Sequence, residues 1–324
     1  MIRTQVCDLL EIECPIVLGG MGSVLAPGLV AAVSGAGGLG TLGGSLLNAD
    51  QLRKAVADIR VLTDKPFGLN FLIFIPNEEG FAEALNSQPA VMAFAWPRAE
   101  QNLKPLFDQA HEAGSKVTFM TGEVGEARRA AKAGADIIVA QGTEGGGHVS
   151  WMATMALVPM VVDVVSPVPV LAAGGIADGR GLAAALALGA DGVLLGTRFL
   201  ASEESPLHPN FKQAIVESDG HDTVLTEIPD IAAGRVWPGA MARARRNRFV
   251  ERWAGREWSL RQNQADAYAG ILAAREAGDP EEAYLLMGQD AGLVGDIFSA
   301  GDIVQRIAAE AEEIVSRRLP GLVR

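Results

Sequence analysis

The chain has 324 residues, of which 49% are hydrophobic and 38 are glycine, so it can bury one large α/β core. Its formal net charge of −12 disfavours nucleic acid and anionic membrane surfaces as partners, which leaves a small-molecule substrate as the expectation. No zinc-site spacing, signal-peptide segment or membrane-length apolar run is found, so we expect a cytoplasmic protein whose Cys7 and Cys14 are buried thiols.

Eight short apolar runs bounded by glycine predict eight strands. Helical patterns lie between them, including residues 48–63, 123–135 and 177–190. Strands and helices that alternate in this way within about 200 residues predict a (β/α)8 TIM barrel, with an open doubly wound sheet as the alternative. The predicted strands are 15–21, 38–45, 67–73, 90–96, 116–122, 136–142, 168–176 and 191–200.

The pattern changes after residue 200. Residues 201–292 show no convincing strand and have helical stretches at 239–255 and 263–278, and a long amphipathic helix then begins near Asp302. We therefore predict a barrel formed by residues 1–200 and 293–324. Residues 201–292 are predicted to be a helical insertion between the eighth strand and the last barrel helix, and to cover the substrate at the barrel mouth.

Gly35, Gly37 and Gly40 match the spacing of a dinucleotide-binding fingerprint. That fingerprint must leave a strand and enter a helix, whereas these glycines end a helical pattern and enter a strand. We therefore predict a tight helix-to-strand turn on the lower face of the barrel.

Glycines also follow the seventh and eighth predicted strands, at Gly174, Gly175 and Gly196, with Thr197 next to the last. The corresponding loops of TIM barrels frequently bind phosphate, and backbone amides and helix N-termini can hold it without a lysine. The alternative is that these glycines serve only close packing.

Carboxamide side chains end two other strands, Asn70 on the third and Gln141 on the sixth. A carboxamide offers a donor and an acceptor to the edge of a planar heterocycle, and glycine lets the face of that ring approach the backbone. Together with a phosphate site, this set predicts FMN, although Asn70 could instead be a helix cap. The other candidates for flavin contact are Gly20, Met21 and Gly22 on the first strand and Gly142, Gly146 and Gly147 in the loop after the sixth.

His148 lies in that same glycine-rich loop and is the one histidine on a predicted strand-end loop. Imidazole is the natural acid or base near neutral pH, so His148 is the candidate catalytic residue.

Seven arginines lie between Arg243 and Arg261, against two acidic residues. They predict either a solvated helix face or a patch that meets a phosphorylated substrate.

These motifs together resemble the nitronate monooxygenase family, formerly called 2-nitropropane dioxygenases. The resemblance rests on "GGMG", "GLN", "QGTEGGGH" and the continuous stretch 172–200. Flavin-dependent enoyl-acyl-carrier-protein reductases of the FabK type share it, and it is weakest at 202–292. It implies noncovalent FMN, His148 as the catalytic histidine, Gly22 near the flavin ring, and flavin contacts from Asn70, Gln141, Gly146, Gly175, Leu195, Gly196 and Thr197.

The resemblance also implies the reaction. We expect oxidation of alkyl nitronates by O2 to a carbonyl compound and nitrite, with His148 as base or anion stabiliser. The alternative is reduction of an enoyl thioester or a quinone with electrons from NADH or NADPH. A flavoprotein without catalytic activity, or a barrel that only binds a phosphorylated metabolite, is a third possibility. Family members often pair, so a homodimer is a weaker expectation.

Overall fold

The computed structural model describes residues 2–21 and 25–323 and contains a closed barrel and a smaller sheet. The strands are β1 (Ile16–Leu18), β2 (Gly40–Gly43), β3 (Phe67–Leu72), β4 (Val91–Ala95), β5 (Lys116–Thr121), β6 (Ile137–Gln141), β7 (Gly147–Val149), β8 (Val170–Ala173), β9 (Gly192–Leu195), β10 (Thr223–Thr226) and β11 (Met241–Arg245).

Eight of these strands form one parallel sheet in the order β1-β9-β8-β6-β5-β4-β3-β2. The two end strands meet, because Leu18 N donates to the carbonyl oxygen of Leu39 at 2.8 Å and Leu39 N donates to that of Ile16 at 3.0 Å. This contact closes the sheet into a ring. The predicted TIM barrel is therefore confirmed, and the open sheet is excluded.

Helices alternate with the barrel strands, as predicted. Polar side chains cap several of them: Asn48 and Gln51 form a reciprocal capping box, and Asp178 and Ser299 each accept from a backbone amide of the first turn. The helices are α1 (Gln5–Leu10), α2 (Pro27–Gly35), α3 (Ala49–Leu62), α4 (Glu78–Asn86), α5 (Lys104–Glu112), α6 (Val124–Ala133), α7 (Thr154–Val165), α8 (Gly179–Ala187), α9 (Thr197–Leu200), α10 (Pro209–Val216), α11 (Ile228–Ala232), α12 (Arg248–Trp253), α13 (Glu257–Gln262), α14 (Gln264–Ala277) and α15 (Ala300–Glu313).

The main core lies between the barrel strands and the surrounding helices. Phe94 on β4 stacks on Phe107 of α5 with ring centroids 5.6 Å apart, and Phe107 meets Phe119 of β5 edge-on at 6.0 Å. All three rings are fully buried, and such aromatic contacts fix a helix against two strands at once. Cys7 and Cys14 are buried free thiols, as predicted.

Helix α15 is the eighth barrel helix. It begins two residues before the predicted Asp302 and lies between α8 and α2, since Glu310 accepts from Gly179 N at 2.8 Å and Gln305 donates to the Ala36 carbonyl at 2.7 Å. No helix within residues 2–21 and 25–323 has the length and apolar character to cross a bilayer.

The segment between β9 and α15 differs from its prediction. It contains two strands, β10 and β11, which form an antiparallel sheet with β7 in the order β10-β11-β7. The prediction that residues 201–292 have no strand is wrong, and so is the helix predicted at 241–245. Long side chains alternate with alanine in Met-Ala-Arg-Ala-Arg, which fits a strand. Pairing with β7 and β10 overrides the helix propensity of alanine and arginine. The exact limits of the insertion stay a prediction.

The glycine fingerprint is a turn, as predicted. Helix α2 ends at Gly35, Gly37 has a left-handed φ of 91°, and Gly40 begins β2. Gly40 lies directly against α2, because a Cβ atom there would be 2.1 Å from the Val30 carbonyl oxygen. Gly37 and Gly40 therefore serve the turn and close packing at the amino ends of the strands, and a Cβ at Gly35 would meet only Thr63 Oγ1, at 4.0 Å.

We expect Gly40→Ala to destabilise the protein by about 2 kcal/mol or more, because backbone atoms of α2 must move to admit the methyl group. Gly28→Ala, within α2 itself, is the control, since a Cβ at Gly28 meets nothing within 4 Å. Its effect on the free energy of unfolding should lie within about 1 kcal/mol. Urea unfolding measures both free energies. Equal stability of the two variants would contradict the packing argument.

Candidate active site

A cavity of about 430 Å³ lies at the carboxyl ends of the barrel strands. It is lined by side chains from several strand ends and from the segment that follows β9. Ten of the predicted site residues line it: Gly20, Met21, Asn70, Gln141, Gly146, Gly147, His148, Gly174, Gly196 and Thr197. The sequence therefore identified residues from several strand ends that share one cavity.

Four other predicted residues have different positions. Gly175 lines an adjoining cavity of about 310 Å³ that shares Gly174 with the main one. Gly142 packs against Thr154, and Leu195 faces away while its neighbour Leu194 lines the main cavity. Gly22 lies outside the described residues. The roles predicted for these residues stay predictions.

Asn70 and Gln141 are both 8% exposed and reach the cavity from β3 and β6. Asn70 Nδ2 makes a 3.3 Å hydrogen bond to the Ala93 carbonyl, which leaves Oδ1 for a ligand. A Cβ at Gly20 would stand 2.3 Å from the Asn70 side chain, so only glycine admits the amide at this place. Two amide side chains at the wall suit the polar edge of a planar heterocycle.

Glycines leave unfilled room at the same wall. A Cβ at Gly147 or Gly196 would meet no protein atom within 4 Å, although both residues line the cavity. Gly174 and Gly175 have left-handed φ angles of 92° and 75°, which bring bare backbone to the surface. Bare backbone beside free space fits the close approach of a flavin ring and its phosphate, so the residues present fit FMN.

His148 lies on β7 and is paired with Asp230 of α11. Its Nε2 is 2.9 Å from both carboxylate oxygens, and the two side chains are 9% and 12% exposed. Because Nε2 donates to the carboxylate, Nδ1 is the ring nitrogen left for a reacting group. Within the described ranges no protein group hydrogen-bonds Nδ1. Sequence reasoning missed Asp230, which lies 82 residues away without any motif around it.

Trp237 covers one face of the His148 ring. The rings are stacked with centroids 3.3 Å apart and planes 11° from parallel, and Trp96 and Phe74 pack around the indole. Such a stack fixes the imidazole plane and keeps water from that face. Trp151, close to His148 in the sequence, is 66% exposed and is not part of the cavity wall. Sequence reasoning missed Trp237, which stands between Gly234 and Gly239 in a segment that carries no recognisable motif.

A second carboxyl group, Asp290, is buried between the main cavity and the adjoining one. It is 5% exposed and hydrogen-bonds the Thr197 side chain. Loss of hydration raises the pKa of Asp290 to about 7. It was not among the predicted site residues, because nothing near it in the sequence distinguishes it from a surface acid.

The arginine run is largely exposed, but part of it is buried or paired with acidic residues. Arg243 is buried and donates to the Thr143 carbonyl and to Thr223 Oγ1, while Arg245, Arg248 and Arg252 pair with acidic residues. None of its seven arginines, all of them described, lines the main cavity. The acidic partners are Asp222, Asp279, Glu281 and Glu282.

The chain is similar to known proteins over nearly its whole length. The family model for nitronate monooxygenase matches residues 3–95 and 81–310. The chain is 32% identical to a probable nitronate monooxygenase of Staphylococcus aureus, over 97% of this chain and 98% of that one. It is also 32% identical to (3aS,4S,5R,7aS)-5-hydroxy-7a-methyl-1-oxo-octahydro-1H-indene-4-carboxyl-CoA dehydrogenase of Mycobacterium tuberculosis, over 96% of each chain.

Among solved structures, FabK from Thermotoga maritima is 39% identical, with a TM-score of 0.89 and complete coverage of both chains. The shared barrel fold, the matching family model and these sequence identities are consistent with an active site in the cavity at the strand ends. The chain belongs to the nitronate monooxygenase family and is a flavin-dependent oxidoreductase that acts on small molecules.

Proposed function

We propose that the chain binds FMN and oxidises alkyl nitronates with O2, giving a carbonyl compound and nitrite. The observation that carries this proposal is His148, which stands at the cavity wall with Nε2 bound to Asp230 and Nδ1 free. An acid–base group in a fixed orientation is what a carbon acid next to a flavin requires.

In this proposal the cavity residues have separate roles. Asn70 and Gln141 would hold the edge of the flavin ring, and Gly174, Gly175 and Gly196 would hold its phosphate through backbone amides. The flavin, when bound, supplies the acceptor for the electrons of the substrate.

His148 handles the proton in this scheme. The neutral ring accepts the α proton of a nitroalkane at Nδ1, and the protonated ring stabilises the nitronate anion. Asp230 keeps a proton on Nε2, so Nδ1 carries the basic lone pair of the neutral ring. Trp237 keeps solvent from one face of the ring and so strengthens the electrostatic contact with the anion.

A second candidate function is the reduction of an enoyl thioester with electrons from NADH or NADPH. The observation that favours it is the part of the cavity that Arg235 and Arg275 line, although the chain as a whole is acidic. Cations at a cavity mouth suit the phosphates of coenzyme A or of a phosphopantetheine arm. The likeness to a carboxyl-CoA dehydrogenase and to FabK supports the same candidate. The homodimer and the cytoplasmic location stay predictions from the sequence.

Anaerobic mixing of the FMN-loaded protein with propyl-2-nitronate, and separately with NADH and NADPH, tests the two candidates. We expect loss of the oxidised flavin absorbance with the nitronate and none with the nicotinamides. With the neutral nitroalkane 2-nitropropane as substrate, His148→Ala should slow flavin reduction on the order of 10²- to 10⁴-fold without loss of bound FMN, because the variant lacks the base. Fast bleaching by NADH or NADPH alone would replace the first candidate by the second, and an unchanged rate in the variant would remove His148 from the chemistry.

We expect Asp230→Asn to lower the rate of flavin reduction on the order of a hundredfold, because an amide can place the His148 proton on Nδ1 instead of Nε2. Nitrogen NMR of the labelled imidazole reports which nitrogen carries that proton. Asp136→Asn is the matched control, since Asp136 contacts His111 Nε2 at 2.8 Å outside the cavity and its loss should leave the rate unchanged. A full rate or an unchanged tautomer in Asp230→Asn would refute the orienting role.

A further inference from the structure

Asp290 is a buried acid that the proposed chemistry does not use. It lies in the short turn Gln289–Leu293 and borders both cavities at the place where Gly174 is shared between them. The proposed phosphate loops after β8 and β9 meet at this point. A carboxyl group is the opposite of the expected neighbour for a phosphate, so its presence needs a physical reason.

Hydrogen bonds connect Asp290 directly to the second phosphate loop. Thr197, the first residue of α9, hydrogen-bonds the Asp290 carboxyl group, and its Oγ1 also accepts from Gly288 N at 2.9 Å. The hydroxyl is therefore occupied by protein groups on both sides. Asp290, next to it, is the side chain left to meet a phosphate at Gly196 and Thr197.

Among the described residues no cation forms an ion pair with Asp290, and Arg235 and Arg275, which line the main cavity, are not paired with it either. Lysine and arginine are missing from the described residues that line the adjoining cavity, and its other carboxyl group, Glu144, is held by Thr154. On the elements packed against the turn, Arg198 binds Asp296 and backbone carbonyls, and Lys212 binds two backbone carbonyls. Asp219, in the loop at Gly292, accepts from His221 N. Burial already raises the pKa of Asp290 to about 7, and a nearby phosphate would raise it further.

We propose that Asp290 contacts the FMN phosphate in its protonated form and donates a hydrogen bond to it, so that FMN binding takes up a proton. This inference rests on the proposed FMN site. An ionised Asp290 would instead repel the phosphate dianion. FMN affinity should therefore fall as the pH rises above 7, whereas riboflavin, which lacks the phosphate, should bind with the same affinity throughout.

Fluorescence titration of the full-length apoprotein between pH 7 and pH 9 tests the proposal. FMN is already doubly ionised in this range, because the second pKa of a phosphate monoester is about 6. We expect the Kd of FMN to rise at least tenfold and that of riboflavin to change less than twofold. Calorimetry in two buffers of different ionisation enthalpy should give uptake of close to one proton for FMN at pH 8 and none for riboflavin.

Asp290→Asn should bind FMN with a Kd that does not change with pH, and Glu144→Gln, which alters the other carboxyl group in the adjoining cavity, should keep the wild-type dependence. Equal pH profiles for FMN and riboflavin, or no proton uptake, would overturn the inference and leave the proposed function intact. Failure of the wild-type protein to bind FMN at any pH would overturn the proposed function itself. If Asp290→Asn does not fold by circular dichroism, the comparison of the two flavins in wild type still decides.

Discussion

Closure of the barrel between β1 and β2 is the constraint on which the rest of the structure depends. Two backbone hydrogen bonds through Leu39 join the ends of an eight-stranded parallel sheet. In an open sheet β1 and β2 would lie at opposite edges, and Gly20 after β1 could not border the same space as Asn70 of β3. Closure places every strand end on one rim, so short loops far apart in the chain share one cavity.

The barrel rim alone does not complete that cavity. The segment after β9 adds Asp230 behind the histidine, Trp237 over its face and Asp290 beside the proposed phosphate loops. These three side chains determine the environment of groups that the barrel supplies. The barrel wall therefore has features suited to a flavin. The segment after β9 adds charged groups, hydrogen-bond partners and an apolar ring, which change the pKa and the solvent access of groups at the site.

Much of this architecture could be predicted from the sequence, because buried parallel strands are continuous apolar runs and strand-end glycines mark the rim. The ten predicted residues that line the main cavity lie at or next to the ends of such runs. Contacts between residues that are far apart in the sequence leave no such local pattern. Asp230 pairs with a histidine 82 residues away, and β11 was predicted as helix because Ala and Arg favour helices until a neighbouring strand provides hydrogen-bond partners.

The small sheet has a consequence for how relatives of this protein can diverge. His148 lies on β7, which is hydrogen-bonded along its length to β11 of the segment after β9, with His148 opposite Ala242. The histidine is thus attached to this segment as well as to the barrel. A relative whose segment differs must keep the edge that pairs with β7, or the proposed acid–base group is displaced. Under the proposed function, the shape of the cavity and the alignment of the histidine therefore depend on the same small sheet.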